Sequence, residues 1–300
     1  MKFAVLGATG FIGRALVPEL AEQGEVVAAS RRGNAAEGNG VLAVAADVTD
    51  ATSVRRALEG VDVAYHLVHS LGSPAYAEVD RRAAATVAAE AARAGVEQIV
   101  YLGGLGDDRP ELSPHLRSRL ESADALSSGS VPVTTLRAAV VIGRGSAGFE
   151  TIVALVDRLP AMVAPRWISA PTQPIALRDV IRYLSGVARN PGAIGETFDV
   201  GGPEVLTYRQ MIERIARLRG RRPLIVEVPV LTPRLSSYWL HLVTPVRAGV
   251  ARPLVEGLRN PTVTHDDRIR ELIPFPLMAF DEAARAALAP AAGSEVVSEG

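Results

Sequence analysis

In the N-terminal half of the chain, short runs of apolar and β-branched residues alternate with longer Ala-rich segments whose apolar positions recur at helical spacing. Such continuous apolar runs belong to strands of a parallel sheet covered on both faces. The pattern predicts strands at Lys2–Leu6, Glu25–Ala29, Val41–Ala45, Val63–Val68, Gln98–Leu102 and Val133–Val140. Between them it predicts helices at Phe11–Gln23, Thr52–Leu58, Ala75–Ala94 and Pro114–Ser127. This alternation is the signature of βαβ units and of a Rossmann-type, doubly wound α/β sheet.

Beyond Ile142 the pattern loosens. Gly143, Gly145 and Gly148 read as a loop, and Pro160, Pro165, Pro171 and Pro174 punctuate the stretch after it. A helix at Leu177–Ala188, a strand at Glu196–Val200 and a helix at Tyr208–Arg219 resume the alternation. The residues from Pro223 to Arg270 are Pro-rich and apolar, which suits a smaller lobe closing over a ligand. The 300 residues thus divide into a principal domain (1–145, with 171–202 returning to it), a small substrate or lid lobe (146–170 and 203–288) and a disordered tail (289–300).

The most informative segment joins the first predicted strand to the first predicted helix: Gly7-Ala8-Thr9-Gly10-Phe11-Ile12-Gly13. Glycines there let the backbone turn tightly and approach a pyrophosphate. The helix N-terminus adds unpaired N–H groups and the positive end of its dipole. With strand, turn, helix and second strand in register, Gly7, Thr9, Gly10, Phe11, Ile12 and Gly13 read as dinucleotide contacts. A carboxylate at the end of the second strand would select NAD through the ribose 2′-hydroxyl. Ser30, Arg31 and Arg32 stand there instead, with no nearby carboxylate expected to repel a phosphate. Two guanidiniums and a hydroxyl complement a 2′-phosphate, which favours NADP(H) over NAD(H). After the third strand, Asp47 and Val48 are candidate adenine contacts, and Asp50 reads equally well as a helix N-cap.

Composition narrows the alternatives. A net charge of -1 provides no global positive field, so nucleic acid is not an expected partner. The cluster Arg217, Arg219, Arg221 and Arg222 suits a helix C-terminus. The absence of cysteine excludes disulfides, thiolate metal sites and a cysteine nucleophile. The uncharged stretch around His66 and His69 is shorter than the roughly 18 apolar residues of a membrane span, so no integral membrane segment is expected. The opening residues run through glycines to Arg14 without a cleavage pattern, which points to the cytoplasm. His66 and His69, three apart on a strand, would face opposite ways, and His115, His241 and His265 are scattered, so no metal site is expected. Ser146 has Arg144 two residues before it, where a nucleophile elbow needs glycine.

Taken together, Gly7 to Gly13, Asp47 to Asp50, Tyr101-Leu102-Gly103-Gly104-Leu105-Gly106 and Gly195-Glu196-Thr197-Phe198-Asp199-Val200-Gly201-Gly202-Pro203 resemble the short-chain dehydrogenase/reductase superfamily, in its extended and atypical branches. Leu67-Val68-His69-Ser70 and His115-Leu116-Arg117-Ser118-Arg119 are most similar to the bacterial NAD(P)H-binding group of YbjT-like and NmrA-like proteins. The resemblance implies that Leu67, Val68 and His69 border the cofactor, with Gly103 and Gly104 beside it. It also implies that Ile175 to Val180 and Tyr208 rejoin the main domain. Ordinary members carry a Tyr and, four residues later, a Lys on one helix, after a Ser at a strand end. The Lys cation lowers the phenol's pKa so that it can pass a proton. Of the 32 lysines and arginines here only Lys2 is a lysine, in the first strand, so no such pair exists. The Ser position reads Leu102-Gly103-Gly104.

The helix that should carry the pair offers His115 and, four residues on, Arg119, both on one face. Imidazole can deliver a proton, and a guanidinium can anchor the ribose in place of an ammonium, so these two are the candidate catalytic residues. The plainer alternative is a polar first-turn residue and an Arg paired with Glu111. Tyr238 and Trp239, within the apolar stretch Leu231–Val246, are candidate substrate contacts or, alternatively, core of the small lobe. Two function classes emerge. One is an NADP(H)-dependent oxidoreductase moving hydride to a small apolar carbonyl, enone or quinone-like substrate. The other is a non-catalytic NADP(H)-binding redox sensor or assembly factor acting through a protein partner. Oligomerisation is compatible with both.

Overall fold

The computed structural model describes residues 1–70, 75–106, 112–228 and 260–290. The chain begins with β1 (Lys2–Leu6), α1 (Phe11–Ala21), β2 (Glu25–Ser30), β3 (Val41–Ala45), α2 (Ala51–Ala57) and β4 (Val63–His66). It continues with α3 (Tyr76–Ala94), β5 (Gln98–Gly104), α4 (Pro114–Ser127), β6 (Val133–Ala138), β7 (Val141–Ile142) and α5 (Ala147–Arg158). Then come β8 (Ala161–Pro165), β9 (Pro171–Thr172), β10 (Ile175–Ala176), α6 (Leu177–Gly186), β11 (Thr197–Val200), β12 (Leu206–Thr207), α7 (Tyr208–Leu218) and β13 (Leu224–Val228). Short helices at Arg268–Leu272 and Phe280–Leu288 come after them.

A seven-stranded parallel sheet in the order β11-β6-β5-β4-β1-β2-β3 forms the centre. Successive side chains of a strand point to opposite faces. Phe3 and Val5 therefore enter one layer with Leu16 and Leu20 of α1 and Val180 and Leu184 of α6. Ala4 and Leu6 enter the other, with Val54 of α2, Ala84 and Val87 of α3 and Leu126 of α4. All of these are fully buried, which is why the strands read as unbroken apolar runs. The order reverses at β1, flanked by β4 and β2, and crevices at the C-terminal ends of such strands are where α/β sheets hold ligands.

Several expected boundaries shift. β4 ends at His66 and the apolar run of β6 stops at Ala138, because Val141 and Ile142 pair with Ile175 and Ala176 rather than continuing the main sheet. Gly148 lies inside α5 rather than in a loop: Ser146 caps that helix, accepting from the Phe149 N–H at 3.5 Å. Phe149, Ile152, Leu155 and Val156 of α5 then pack with Met211 and Ile215 of α7 and Ala284 in a third apolar cluster. Tyr208 packs in this third cluster too, whereas Ile175 and Val180 join the first. A further unexpected pair, β8 with β13, runs parallel beside it. Tyr238, Trp239 and the stretch Leu231–Val246 lie outside the described residues, as does the tail from residue 291.

Candidate active site

The turn after β1 is tied to the end of β2, where the Gly7 and Ala8 N–H groups both donate to the Ala29 carbonyl at 3.0 Å. Gly7 has φ +99°, a conformation that side chains resist. Gly13, one turn into α1, sits so close beneath it that a Cβ there would lie 2.3 Å from the Gly7 oxygen. A Cβ on Gly7 would in turn meet the Leu67 backbone at 3.1 Å and Val68 Cγ2 at 3.3 Å. The turn and the segment after β4 thus border one crevice, and the first N–H groups of α1 open into it without intrahelical partners. A backbone cradle that any Cβ would fill fits a dinucleotide pyrophosphate. Beside it opens a groove of about 370 Å³ lined by Thr9, Phe11, Arg14, Ala15, Arg144, Gly145 and Leu177. Arg14 and Arg144 are exposed cations on this groove, and neither is read as a ligand contact from sequence.

Ser30 is buried and its hydroxyl engages Asn34, donating to Oδ1 and accepting from the backbone N–H, both at 3.3 Å. Arg31 and Arg32 project into solvent at the end of β2. Asp47 is exposed and accepts from the Thr49 N–H at 2.9 Å and the Thr49 hydroxyl at 2.7 Å. Those hydrogen bonds hold its carboxyl below the usual range, with the charge of Arg31 contributing. A carboxylate therefore does stand near Arg31, supplied by the neighbouring strand end rather than by local sequence. Val48 is buried, and Asp50 is the N-cap of α2, accepting from the Thr52 N–H at 3.1 Å.

The other half of the crevice rim is built by β4, β5, α3 and α4. Gly104 ends β5 under α4, where a Cβ would lie 2.9 Å from Leu116 Cδ2, and Gly103 lies against the Tyr101 ring. Arg119 is anchored: its guanidinium donates to the Leu102 carbonyl and lies over the Tyr101 ring, 4.9 Å from the centroid. Tyr101 in turn donates through its hydroxyl to the Arg119 carbonyl at 3.1 Å. Lys2 lies in β1, its Nζ donating to the Glu59 carbonyl at 3.0 Å.

The histidines are not scattered as their sequence positions suggest. Ser113 caps α4 and sets His115 in its first turn, where Nδ1 comes to 3.3 Å from His69 Nε2. His69 Nδ1 contacts the carboxylate of Asp80, and Asp80 Oδ1 accepts from the Ser70 N–H at 2.9 Å. Asp80 is 3% exposed on α3. Burial works against its charge, but the hydrogen bonds from His69 and Ser70 outweigh it and hold the carboxyl below its usual range. Burial dominates for the imidazoles. It lowers the pKa of His69 against the pull of Asp80, and together with repulsion of a second positive charge by His69 and Arg119 it drives His115 down to about 3. His66, fully buried against Tyr101 at 5.9 Å between centroids, falls to about 4 for the same first reason, and its Nδ1 has no partner among the described residues. His69 lies past the end of β4, so the two-sided strand geometry expected for His66 and His69 does not apply. Among the described residues no cluster of metal-ligand side chains forms. Asp80 escaped the sequence reading, although a carboxylate aligned at helical spacing with Ala83, Ala84, Val87 and Ala91 stands on the core face of α3 and signals a buried role.

A Rossmann-type parallel sheet whose first turn is a glycine cradle defines a nucleotide-binding class of α/β fold. Residues 7–150 match the protein family described as NAD(P)H-binding. The chain is 29% identical over 220 residues to a (4-alkanoyl-5-oxo-2,5-dihydrofuran-3-yl)methyl phosphate reductase of Streptomyces griseus, covering 72% of this chain and 73% of that one. It is 28% identical over 239 residues to an uncharacterized protein of Mycobacterium tuberculosis, covering 79% of this chain but only 25% of that longer protein. Two solved structures share the fold at 20% identity and TM-score 0.75. One is a Citrobacter triphenylmethane reductase complexed with NADP(H), with 96% of this chain and 100% of that one covered. The other is an NADPH-dependent quinone oxidoreductase of Escherichia coli complexed with NADPH, with 94% and 98% covered. Over residues 7–150 the chain is thus similar to NAD(P)H-binding proteins, and over most of its length it shares the fold of the two reductase structures. No helix among the described residues is long and apolar enough to cross a membrane.

Proposed function

We propose that the protein is an NADP(H)-dependent oxidoreductase that reduces an apolar carbonyl, enone or quinone-like substrate in the cytoplasm. The observation that carries this is that the glycine cradle after β1 and the His115, His69 and Asp80 cluster after β4 lie at the C-terminal ends of two adjacent central strands. The α1 N-terminus from Thr9 to Gly13 holds the diphosphate, with Arg14 and Arg144 alongside. Ser30, Arg31 and Arg32 take the 2′-phosphate, Asp47 and Val48 flank the adenine, and Leu67, Val68, Gly103 and Gly104 border the nicotinamide half. Bound NADPH supplies the hydride. His115 exchanges the proton at the acceptor oxygen, and Arg119 contributes positive charge beside it. The reductase activity named for the Streptomyces relative supports a reductase here, and the names of the two structural neighbours favour NADP(H).

A second reading, a non-catalytic NADP(H) sensor, is favoured by one observation: the sole lysine sits in β1, away from α4. Protein-dependent NADPH oxidation across a panel of carbonyls, enones and quinones decides between them. Turnover of any class supports the enzyme. Silence across the panel, with tight NADPH binding, supports the sensor.

A further inference from the structure

The polarity of the buried histidine pair can be worked out from its closed end. An ionised carboxylate only accepts hydrogen bonds. Asp80 spends Oδ1 on the Ser70 N–H and Oδ2 on His69, so His69 carries its proton on Nδ1. A neutral His69 then presents a lone pair at Nε2, and His115 must donate to it from Nδ1 across 3.3 Å. His115 Nε2 is left as a lone pair, at the half-exposed end of the chain of rings; His69 is 18% and Asp80 3% exposed.

We infer that Asp80, His69 and His115 form one proton relay, in which Asp80 and His69 are positioning residues and His115 Nε2 is the atom that exchanges the proton. A proton taken up at His115 Nε2 pushes the Nδ1 proton of His115 onto His69 Nε2. The positive charge then rests on His69, against the Asp80 carboxylate, not on His115. Once the relay has been loaded with a proton from solvent it runs in reverse: His115 Nε2 gives that proton to the acceptor oxygen and His69 Nε2 returns one to His115 Nδ1, while NADPH, when bound, would supply the hydride to the acceptor carbon. One proton and one hydride leave, giving the reduced acceptor and NADP⁺. This rests on the oxidoreductase reading for its use, though not for its geometry. Among the described residues, the other ionisable groups facing the relay are His66 from β4, Tyr101 from β5, Tyr76 from α3 with its ring edge on His69, and Arg119 from α4.

Asp80→Asn tests the polarity sharply. The Ser70 N–H pins the amide oxygen, so the amide NH₂ must face His69 Nδ1 and force its proton to Nε2. Nitrogen-15 NMR of the full chain without cofactor reads both tautomers. The expected result is Nδ1–H on His69 and on His115 in the parent protein, first protonation at His69 on acidification, and inversion of both tautomers in Asp80→Asn. Nε2–H on His69 in the parent, or first protonation at His115, overturns the relay even if the variant does not fold. If the parent turns substrate over, kcat of Asp80→Asn falls by at least about tenfold with NADPH affinity unchanged; an unchanged kcat also overturns it. Absence of turnover in the parent protein defeats the oxidoreductase reading, while the tautomers still decide the relay.

Discussion

The two halves of the crevice are built on opposite principles. The half proposed for the cofactor is shaped chiefly by backbone, with the glycines and helix N–H groups of the turn after β1 at its centre and exposed arginines beside them. The half proposed for the proton is side chain: Asp80, His69 and His115 come from α3, the segment after β4 and α4, with Asp80 buried, both imidazoles half-buried and the pKa of each lowered first of all by desolvation. A backbone cradle needs the absence of side chains and tolerates water. A buried relay needs three side chains and low dielectric to fix which nitrogen carries the proton. The first half therefore fails by steric change, and the second by a change of charge or tautomer.

Gly13→Val should do the greatest damage. With the Cβ site 2.3 Å from the Gly7 oxygen, the turn must open, costing about 1–3 kcal/mol or more of stability. Nucleotide affinity should fall by at least about 100-fold, roughly 2.7 kcal/mol, by calorimetric titration. The other half should break differently: His115→Ala is expected to lower kcat by at least about tenfold while leaving NADPH affinity unchanged, and turnover within a few-fold of the parent would remove His115 from the chemistry.

Acid should discriminate between the halves more gently. The unfolded chain protonates His66 and His115 near 6.5, whereas the folded chain resists until about 4 and about 3. The unfolded state therefore binds more protons across that window, and stability falls as pH drops through it. His66→Phe removes one such group and its orphaned Nδ1, so the loss of melting temperature from about pH 7 to about pH 5 should shrink. An undiminished loss would place the acid sensitivity elsewhere. Gly104→Ala should have the smallest effect, about 1 kcal/mol, because the atom its Cβ meets is the end of the flexible Leu116 side chain.

This division also explains what the sequence made legible. The α4 bounds Pro114–Ser127 and the strands β1 and β3 are as the apolar pattern predicts, because local periodicity decides them. The pattern could not tell that Val141 and Ile142 would leave the main sheet for β10, since an apolar run does not name its partner. It took Gly148 for a breaker, although Ser146 followed by Phe149, Ile152, Leu155 and Val156 spells a capped amphipathic helix. The glycine turn was legible because its geometry is set by consecutive residues. The cluster of Asp80, His69 and His115 was not, because His69 and His115 are 46 positions apart and meet only once the segment after β4 and the first turn of α4 are brought together by the fold.

The central claim is a crevice with an NADP(H) end and a separate proton end, and one calorimetric experiment tests it most directly: NADPH and NADH titrated into the parent protein, the double variant Arg31→Ala with Arg32→Ala, and Asp80→Asn. The expected result is NADPH bound at least about tenfold tighter than NADH, about 1.4 kcal/mol, with that preference lost in the double arginine variant and kept in Asp80→Asn. Equal affinity for both nucleotides in the parent, or no binding of either, would contradict it.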